Sequence, residues 1–390
     1  MRFPNYNSAW QKNKFGNLLT LLKNNTLSRA ELNYENGKIK DIHYGDVLIK
    51  FNDFVLSDSK IIPYINDDRI PHNYADLLLK TGDLVIADTA EDYTVGKATE
   101  LIFNDQSLII SGLHTIPCRP INNIFGSKYL GYYINSPSFH NQLLPLIQGI
   151  KVSSISKSQI IDTFISYPKI NEQCKITEFL TLIDQRIDTQ SKIIEKYESL
   201  INYIRHKLFT GYINDDINNQ KYIFNKIFIS YKKLNEQSLQ QYTIGKNGIK
   251  SMSNHLNYSI NSHIVFMPNT LILGIGIDEI GVSIDTTGCC SPIYKTYTIN
   301  NEIVDTLFLN IFANDYFSMI KNRVTQKSTR REFEFDYKEL AKTLFTLPDI
   351  EIQKKDAQIV NKFYFKLQKE KDILELYKKQ KAYLLKNMFI

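Results

Sequence analysis

Residues 173–209 read QCKITEFLTLIDQRIDTQSKIIEKYESLINYIRHKLF, with apolar side chains returning alternately four and three positions apart. The series is Ile176, Leu180, Ile183, Ile187, Gln190, Ile194, Tyr197, Ile201, Ile204 and Leu208, and charges of both signs fill the faces between. A 4/3 alternation keeps one narrow stripe facing a partner helix over many turns, so it predicts a coiled-coil seam, where an ordinary amphipathic helix would show a wider, less regular stripe. No Gly or Pro interrupts the run, and Pro168 before it and Gly211 after it frame a single long helix.

The pattern occurs twice. At an offset of 180 and without a gap, Pro168 aligns with Pro348, Gln173 with Gln353, Lys175 with Lys355, Ile193 with Ile373, Tyr197 with Tyr377, Tyr203 with Tyr383 and Phe209 with Phe389. The second seam is Asp356, Val360, Phe363, Leu367, Glu370, Leu374, Tyr377, Lys381, Leu384 and Met388, a weaker copy of the first. Both seams carry a polar residue at the same place, Gln190 and Glu370. Full antiparallel overlap brings these two face to face, where the Gln amide donates to the carboxylate and fixes register at some cost in stability.

The segments between the helices alternate like strands. DLLLKTGDLVIADTAEDYTVGKATEL and HIVFMPNTLILGIGIDEIGVSIDTTGCCSPIYKTYTI read as short apolar strands broken by turns. Each half then continues through a helical piece, NSPSFHNQLLPLI or NDYFSMI, and a polar, basic stretch, GIKVSSISKSQI or TRREFEFDYKEL. The predicted fold is α/β (α+β): two strand-rich domains, 1–168 and 212–348, separated by two long helices, 169–211 and 349–390, that pair as an antiparallel coiled coil in a pseudo-twofold tandem repeat.

Composition narrows the function only a little. A chain of 390 residues with 43% hydrophobic and 23% charged content has enough apolar side chains for more than one core without covalent staples. A net charge of +6 is compatible with a polyanion partner if the positive charge gathers on one face. Cys118, Cys174, Cys289 and Cys290 lack zinc spacing and do not form a disulfide framework, the seven histidines include no ligand pair, and no metal site is predicted. No signal-type or membrane-length apolar run is present, which leads us to expect a soluble cytoplasmic protein.

Local signs of enzyme chemistry are weak. Gly274-x-Gly276 would need a helix after it to cradle a nucleotide, and GVSIDTTG reads instead as another strand. Ser291-Pro292-Ile293-Tyr294 misses the second proline of the base-holding motif of amino-methyltransferases. In PDIEIQK, Glu351 and Lys354 stand too far apart for a nuclease carboxylate set, and Gly245-Lys246 lacks the rest of a phosphate loop. The candidates for nucleic-acid contact are cations and hydroxyls in turn-rich places: Lys151, Ser153, Ser154 and Lys157 in the first half, Arg323, Lys327, Arg330 and Arg331 in the second, with Arg119 and Lys246 as further cations.

Arg2-Phe3-Pro4, Trp10, YGDVLIKF at 44–51, KTGDLVIA at 80–87 and the junction PKINEQCKITEFLTLIDQRID at 168–188 together resemble the DNA-specificity subunit of type I restriction–modification systems, over essentially the whole chain. That resemblance implies a non-catalytic, DNA-associated bacterial protein whose two target recognition domains each read one half of a bipartite, asymmetric site on double-stranded DNA. The helices would set the gap and dock two methyltransferase (modification) subunits, which restriction/translocase subunits join. No cofactor is expected in this chain; S-adenosylmethionine, ATP and Mg belong to the partners. A helix of about 39 residues spans roughly 58 Å, or ~17 base pairs of duplex, which suits a ruler. The sequence departs from the family at Asp356 and Lys381 on the second seam and at Ile352, where an acid usually precedes the Gln; both weaken the contacts expected of that helix. The alternatives are a stand-alone DNA adenine methyltransferase and a coiled-coil adaptor that binds no DNA.

Overall fold

The computed structural model describes residues 2–149, 151–214, 219–234, 239–245, 248–252, 263–327 and 334–389. The chain forms two compact units, Met1–Gln190 with Ile373–Ile390, and Ser191–Asp372. Each unit therefore holds one strand-rich domain, the first half of the long helix that leaves it, and the second half of the other long helix. The division falls inside both helices.

In the first unit a five-stranded sheet runs Leu19–Leu21, Thr115–Pro120, Leu84–Ala87, Ala98–Ile102, Phe54–Leu56, and a four-stranded one runs Leu108–Ser111, Ile39–Ile42, Tyr64–Ile65, Leu32–Asn33. The central strand Leu84–Ala87 is buried at every residue, which is why LVIA reads as an unbroken apolar run and does not alternate. Its core gathers Leu84, Ile86 and Ile116 with Tyr129, Tyr132 and Tyr133 of the helix Tyr129–Ile134, and with the seam residues Ile176, Leu180 and Leu384. In the second unit the sheets run Phe228–Tyr231, Lys295–Ile299, Thr270–Leu273, Ile280–Ser283 and Gly248–Ser251, Gln241–Gly245, Gly288–Cys290, Ile264–Phe266. The helix Thr306–Val324 packs on the strand Ile280–Ser283 of the first of these sheets.

The tandem repeat shows in how each domain closes. A strand near the start pairs antiparallel with the strand that leads into the long helix, Gln11–Lys14 with Phe164–Tyr167 and Gln220–Ile223 with Leu344–Leu347. At the junction a wholly buried glutamine then ties the helix to its domain. Gln173 accepts from Gly126 N–H at 2.8 Å and donates to the carbonyls of Ile124 and Pro168, both at 2.9 Å. Gln353 repeats this with Asp305 N–H at 3.0 Å and the carbonyls of Ile303 and Pro348 at 3.0 and 2.8 Å. The tyrosine hydroxyls of Tyr129 and Tyr316 donate to the carbonyls of Ser166 and Thr346, each at 2.9 Å, and Phe389 and Phe209 pack against those tyrosines. Truncating either glutamine strands three backbone groups away from water, so Gln173→Ala and Gln353→Ala should each cost about 3 kcal/mol. The loss should appear in the urea unfolding of the first unit for one and of the second unit for the other; losses below about 1 kcal/mol would mean that water replaces the amide.

The long helices are Ile170–Asn214 and Ile350–Met388. Gly211 was expected to end the first, but the helix runs through it, because Tyr212 beyond it is 6% exposed, packs on Phe308 and Phe312, and donates to Asp356 Oδ2 at 2.7 Å. Every residue of both seams is buried or half-buried. Within the second unit Glu198 meets Lys371 at 2.7 Å and Tyr212 meets Asp356, so the helices run antiparallel there. Gln190 is buried, Glu370 is half-buried, and both have partners.

The two departures on the second seam prove to be well satisfied, contrary to the weak contacts expected of them. Asp356 takes the Tyr212 hydroxyl. Lys381 lies 2.6 Å from Asp53 of the first domain and 2.6 Å from Asp184 of the first helix. The missing acid at Ile352 also has a structural sense: in the first copy Glu172 holds Arg2 through a two-pronged ion pair at 2.7 and 2.8 Å, and among the described residues that arginine clamp is not repeated in the second unit. No described helix is long and apolar enough to cross a membrane.

Candidate nucleic-acid interface

Of the sequence-predicted residues of the first domain, Ser153 and Ser154 form a short ribbon strand, Lys151 lies on the turn before it and Lys157 on the helix after it. Ser153 and Ser154 pair antiparallel with Ala90 and Thr89. The turn into this strand depends on Gly149 at φ +104, where a Cβ would strike the Val152 carbonyl oxygen at 2.0 Å; Lys151 and Val152 are exposed on it. Ser156 then caps a short helix, Lys157–Ile161, accepting from Gln159 N–H while Gln159 returns a bond to Ser156 N–H, so Lys157 stands exposed on its first turn.

Beside this ribbon the structure adds residues the sequence did not single out. His114 sits in the left-handed region at φ 55, with Nδ1 3.4 Å from Asp88 and its ring edge-to-face with Tyr44 at 5.3 Å. Thr89 donates to Asp88 at 2.8 Å, and Tyr93 is 74% exposed. The patch is therefore mixed: two lysines, several hydroxyls, an imidazole and a carboxylate. Such a set can hold phosphates through its lysines and hydroxyls while its remaining donors and acceptors meet base edges.

The second domain has a related pairing at the same place in the repeat. Glu334 and Phe335 occupy the place of Ser154 and the residue after it; Glu334 pairs with Gln326 much as Ser154 bridges to Gln148, and bridges to Gly276 much as Ser154 pairs with Thr89. Arg323, at the end of Thr306–Val324, and Lys327 are exposed where the ribbon begins. Lys246, Arg330 and Arg331 lie outside the described residues.

Arg119 is used differently. Its guanidinium forks onto Asp83 at 2.7 and 2.6 Å and donates to the Leu78 carbonyl at 3.1 Å, and Asp83 is fully buried. It ties the strand Thr115–Pro120 to the turn that precedes Leu84–Ala87, with its side chain 32% exposed.

The loops around Gly274, Tyr294 and Glu351 are tied into local structure. Glu279 accepts from Ile275 N–H at 2.8 Å and closes the Gly274–Gly276 turn onto itself; a strand, Ile280–Ser283, follows, and a Cβ on Gly274 would meet the Glu279 carboxylate at 2.3 Å. Tyr294 is 9% exposed with its hydroxyl 3.3 Å from Thr243, while Ile293 points outward. Glu351 pairs with Lys354 at 2.8 Å within the first turn of its helix.

No family model and no curated protein matches the sequence. Among solved structures, the chain is similar to the type I restriction-modification system S subunit from M. genitalium, with 17% identity, a TM-score of 0.56, and coverage of 100% of this chain and 97% of that one. It is similar also to a structure described as the basis of complex assembly and conformational transition of the type I R-M system, with 11% identity, a TM-score of 0.58, and coverage of 98% and 97%. At these identities the likeness establishes a shared two-domain, two-helix fold.

Proposed function

We propose that this chain is a non-catalytic DNA-specificity subunit of a type I restriction–modification complex. Each domain reads one half of a bipartite, asymmetric duplex site, the paired helices set the gap, and two methyltransferase subunits dock on the assembly, with restriction/translocase subunits joining it. S-adenosylmethionine, ATP and Mg are then needed only by the partners. The observation that carries this reading is the duplicated plan itself: two domains, each closed by the same buried glutamine onto a long helix, each carry a short strand pairing at the 180-residue offset, which suits a reader of two separated half-sites. The full-length fold likeness to an S subunit supports it.

Coexpression with the neighbouring methyltransferase, followed by mapping of methylated adenines, tests it. A two-part motif with a fixed gap is expected, and a single continuous motif would overturn the reading. Methyl transfer by the purified chain alone would favour a stand-alone methyltransferase.

The lysines flanking the first ribbon strand supply a second check. Lys151→Ala with Lys157→Ala should weaken DNA binding across all sequences and reduce the slope of log affinity against log salt by about 1–2, the contribution of two phosphate contacts. An unchanged slope removes this ribbon from the interface. Arg119→Ala should instead lower stability, because it leaves Asp83 buried without its cation.

A further inference from the structure

Between the strands Thr89–Ala90 and Ala98–Ile102 of the first unit the chain makes a tight turn, and residues of that turn line a cavity of about 390 Å³. Thr94 donates its N–H to Asp92 Oδ1 at 2.9 Å, the Lys97 N–H donates to the Thr94 carbonyl at 3.0 Å, and His140 Nε2 donates to the Tyr93 carbonyl at 3.0 Å. Gly96, at φ +89, lies so close to Leu143 that a Cβ would meet its Cδ1 at 2.3 Å. The backbone from which Tyr93 and Lys97 project is therefore fixed.

Lys97 is the unusual member of the lining. Its ammonium donates to the Leu48 carbonyl at 2.8 Å, and among the described residues no carboxylate comes within ion-pair distance of it. Asp53, the acid of the cavity wall, is committed elsewhere: one oxygen takes the Asn135 amide at 2.9 Å and the other the Lys381 ammonium at 2.6 Å. Burial pulls the Lys97 ammonium below the usual lysine value; the more distant charge of Asp53 offsets this only in part, and Lys381 adds to it. A cation drawn out of water without a counter-ion is costly, and only one of its three N–H groups has an acceptor among the described residues.

The rest of the lining says which anion fits. Asn52 is exposed there, and its amide has no hydrogen-bond partner among the described residues, so it can donate beside Lys97. Tyr93, 74% exposed, adds a bare aromatic ring to the same cavity, and such a ring carries a nucleic-acid base by stacking, worth about 1–3 kcal/mol. The volume falls in the range of roughly 300–1,000 Å³ in which small organic ligands are held, so there is room for more than a bare anion.

We propose that this cavity is a nucleotide phosphate site, in which Lys97 and the Asn52 amide hold the phosphate and Tyr93 carries the attached base. The nucleotide is either free or one residue of a DNA strand. The site itself does not depend on the specificity-subunit reading.

The test titrates the purified full chain calorimetrically with adenosine monophosphate, inorganic phosphate and adenosine. The monophosphate should bind at least about tenfold more tightly than either phosphate or adenosine alone. Asn52→Asp, at an exposed position, places a carboxylate in the wall and should weaken the monophosphate at least about tenfold while leaving the urea midpoint unchanged. Lys97→Met should weaken it as much; where the freed Leu48 carbonyl also lowers the midpoint, Asn52→Asp decides. Tyr93→Ala should weaken the monophosphate and leave inorganic phosphate unaffected. A short duplex separates the two sources. If the phosphate belongs to DNA, the duplex displaces the monophosphate, and Lys97→Met lowers the slope of log affinity against log salt by about 1. If the nucleotide is free, monophosphate and duplex bind together and the slope is unchanged. A chain that binds neither phosphate probe, and whose duplex binding is the same in both variants, would overturn this inference and leave the specificity-subunit reading intact, and so would probe binding that both variants leave untouched. Monophosphate binding, lost in both variants, by a chain that binds no duplex would uphold the inference and overturn that reading.

Discussion

Replacing Lys381 by methionine should destabilise the first compact unit by about 3–5 kcal/mol, the cost of removing one partner from a buried charge cluster. The Lys381 ammonium lies 2.6 Å from both Asp53 and Asp184, and the three side chains are only 17%, 8% and 13% exposed. Asn135 donates to the other oxygen of Asp53 at 2.9 Å, and the Tyr132 hydroxyl to the other oxygen of Asp184 at 2.6 Å. Burial pulls the ammonium down, but the two carboxylates outweigh it and hold Lys381 above the usual lysine value. Methionine fills the space and leaves two carboxylates facing each other without a cation.

The pH dependence follows from Asp184. Burial already raises its carboxyl above the ordinary range, and Lys381 is the strongest influence opposing that rise. Without the lysine it rises further. A carboxyl that holds its proton more tightly when folded stabilises fully below its unfolded value, about 4, and loses that contribution as pH climbs through the folded value. The deficit of Lys381→Met should therefore be greatest near pH 8 and shrink toward pH 5, read as the urea midpoint of the first unit. Asp184→Asn in the same background should recover part of the loss at pH 8. A deficit that is flat with pH would show that packing, not charge, is what Lys381 supplies.

This cluster marks the boundary of what could be read in the sequence. The seams were legible because a 4/3 period is a local pattern, and the repeat because it has no gap over the helices. Lys381 looked like a flaw in the seam, since its partner Asp53 stands 328 positions away and no local pattern links them. Asp356 looked like a second flaw for the same reason, with Tyr212 at a distance of 144. Gly211 was read as a stop because glycine favours helix ends, and the packing of Tyr212 overrode that preference. The duplicated glutamines could be aligned, but the loops they bind, around Ile124 and Ile303, have different sequences. In the candidate interface, Ser153, Ser154 and Lys157 stand out through polarity at a turn, whereas the placement of His114 depends on an unusual backbone angle that its sequence context does not announce.

Inserting one heptad at the middle of each long helix, after Gln190 and after Glu370, should lengthen the gap between methylated half-sites and leave the half-sites themselves unchanged. Seven residues keep the seam in phase, since the 4/3 alternation repeats every seven, and both helices must be lengthened because an antiparallel pair with one longer member would bulge. The added rise is about 10.5 Å, which corresponds to at most about three base pairs of duplex. Distance is one of two constraints. The duplex makes a full turn in roughly 10–10.5 base pairs, so three added pairs swing the second half-site by about a third of a turn. The preferred new gap should be the one that best reconciles reach with rotation, and binding at that gap should be weaker than wild type at its own. Sequencing of methylated adenines after coexpression gives the gap directly. If it stays the same while methylation persists, the helices do not act as the ruler, and the spacing must be set by the domains; if the half-sites change with it, the helix insertion has disturbed the reading surfaces, which the intact glutamine locks at Gln173 and Gln353 argue against.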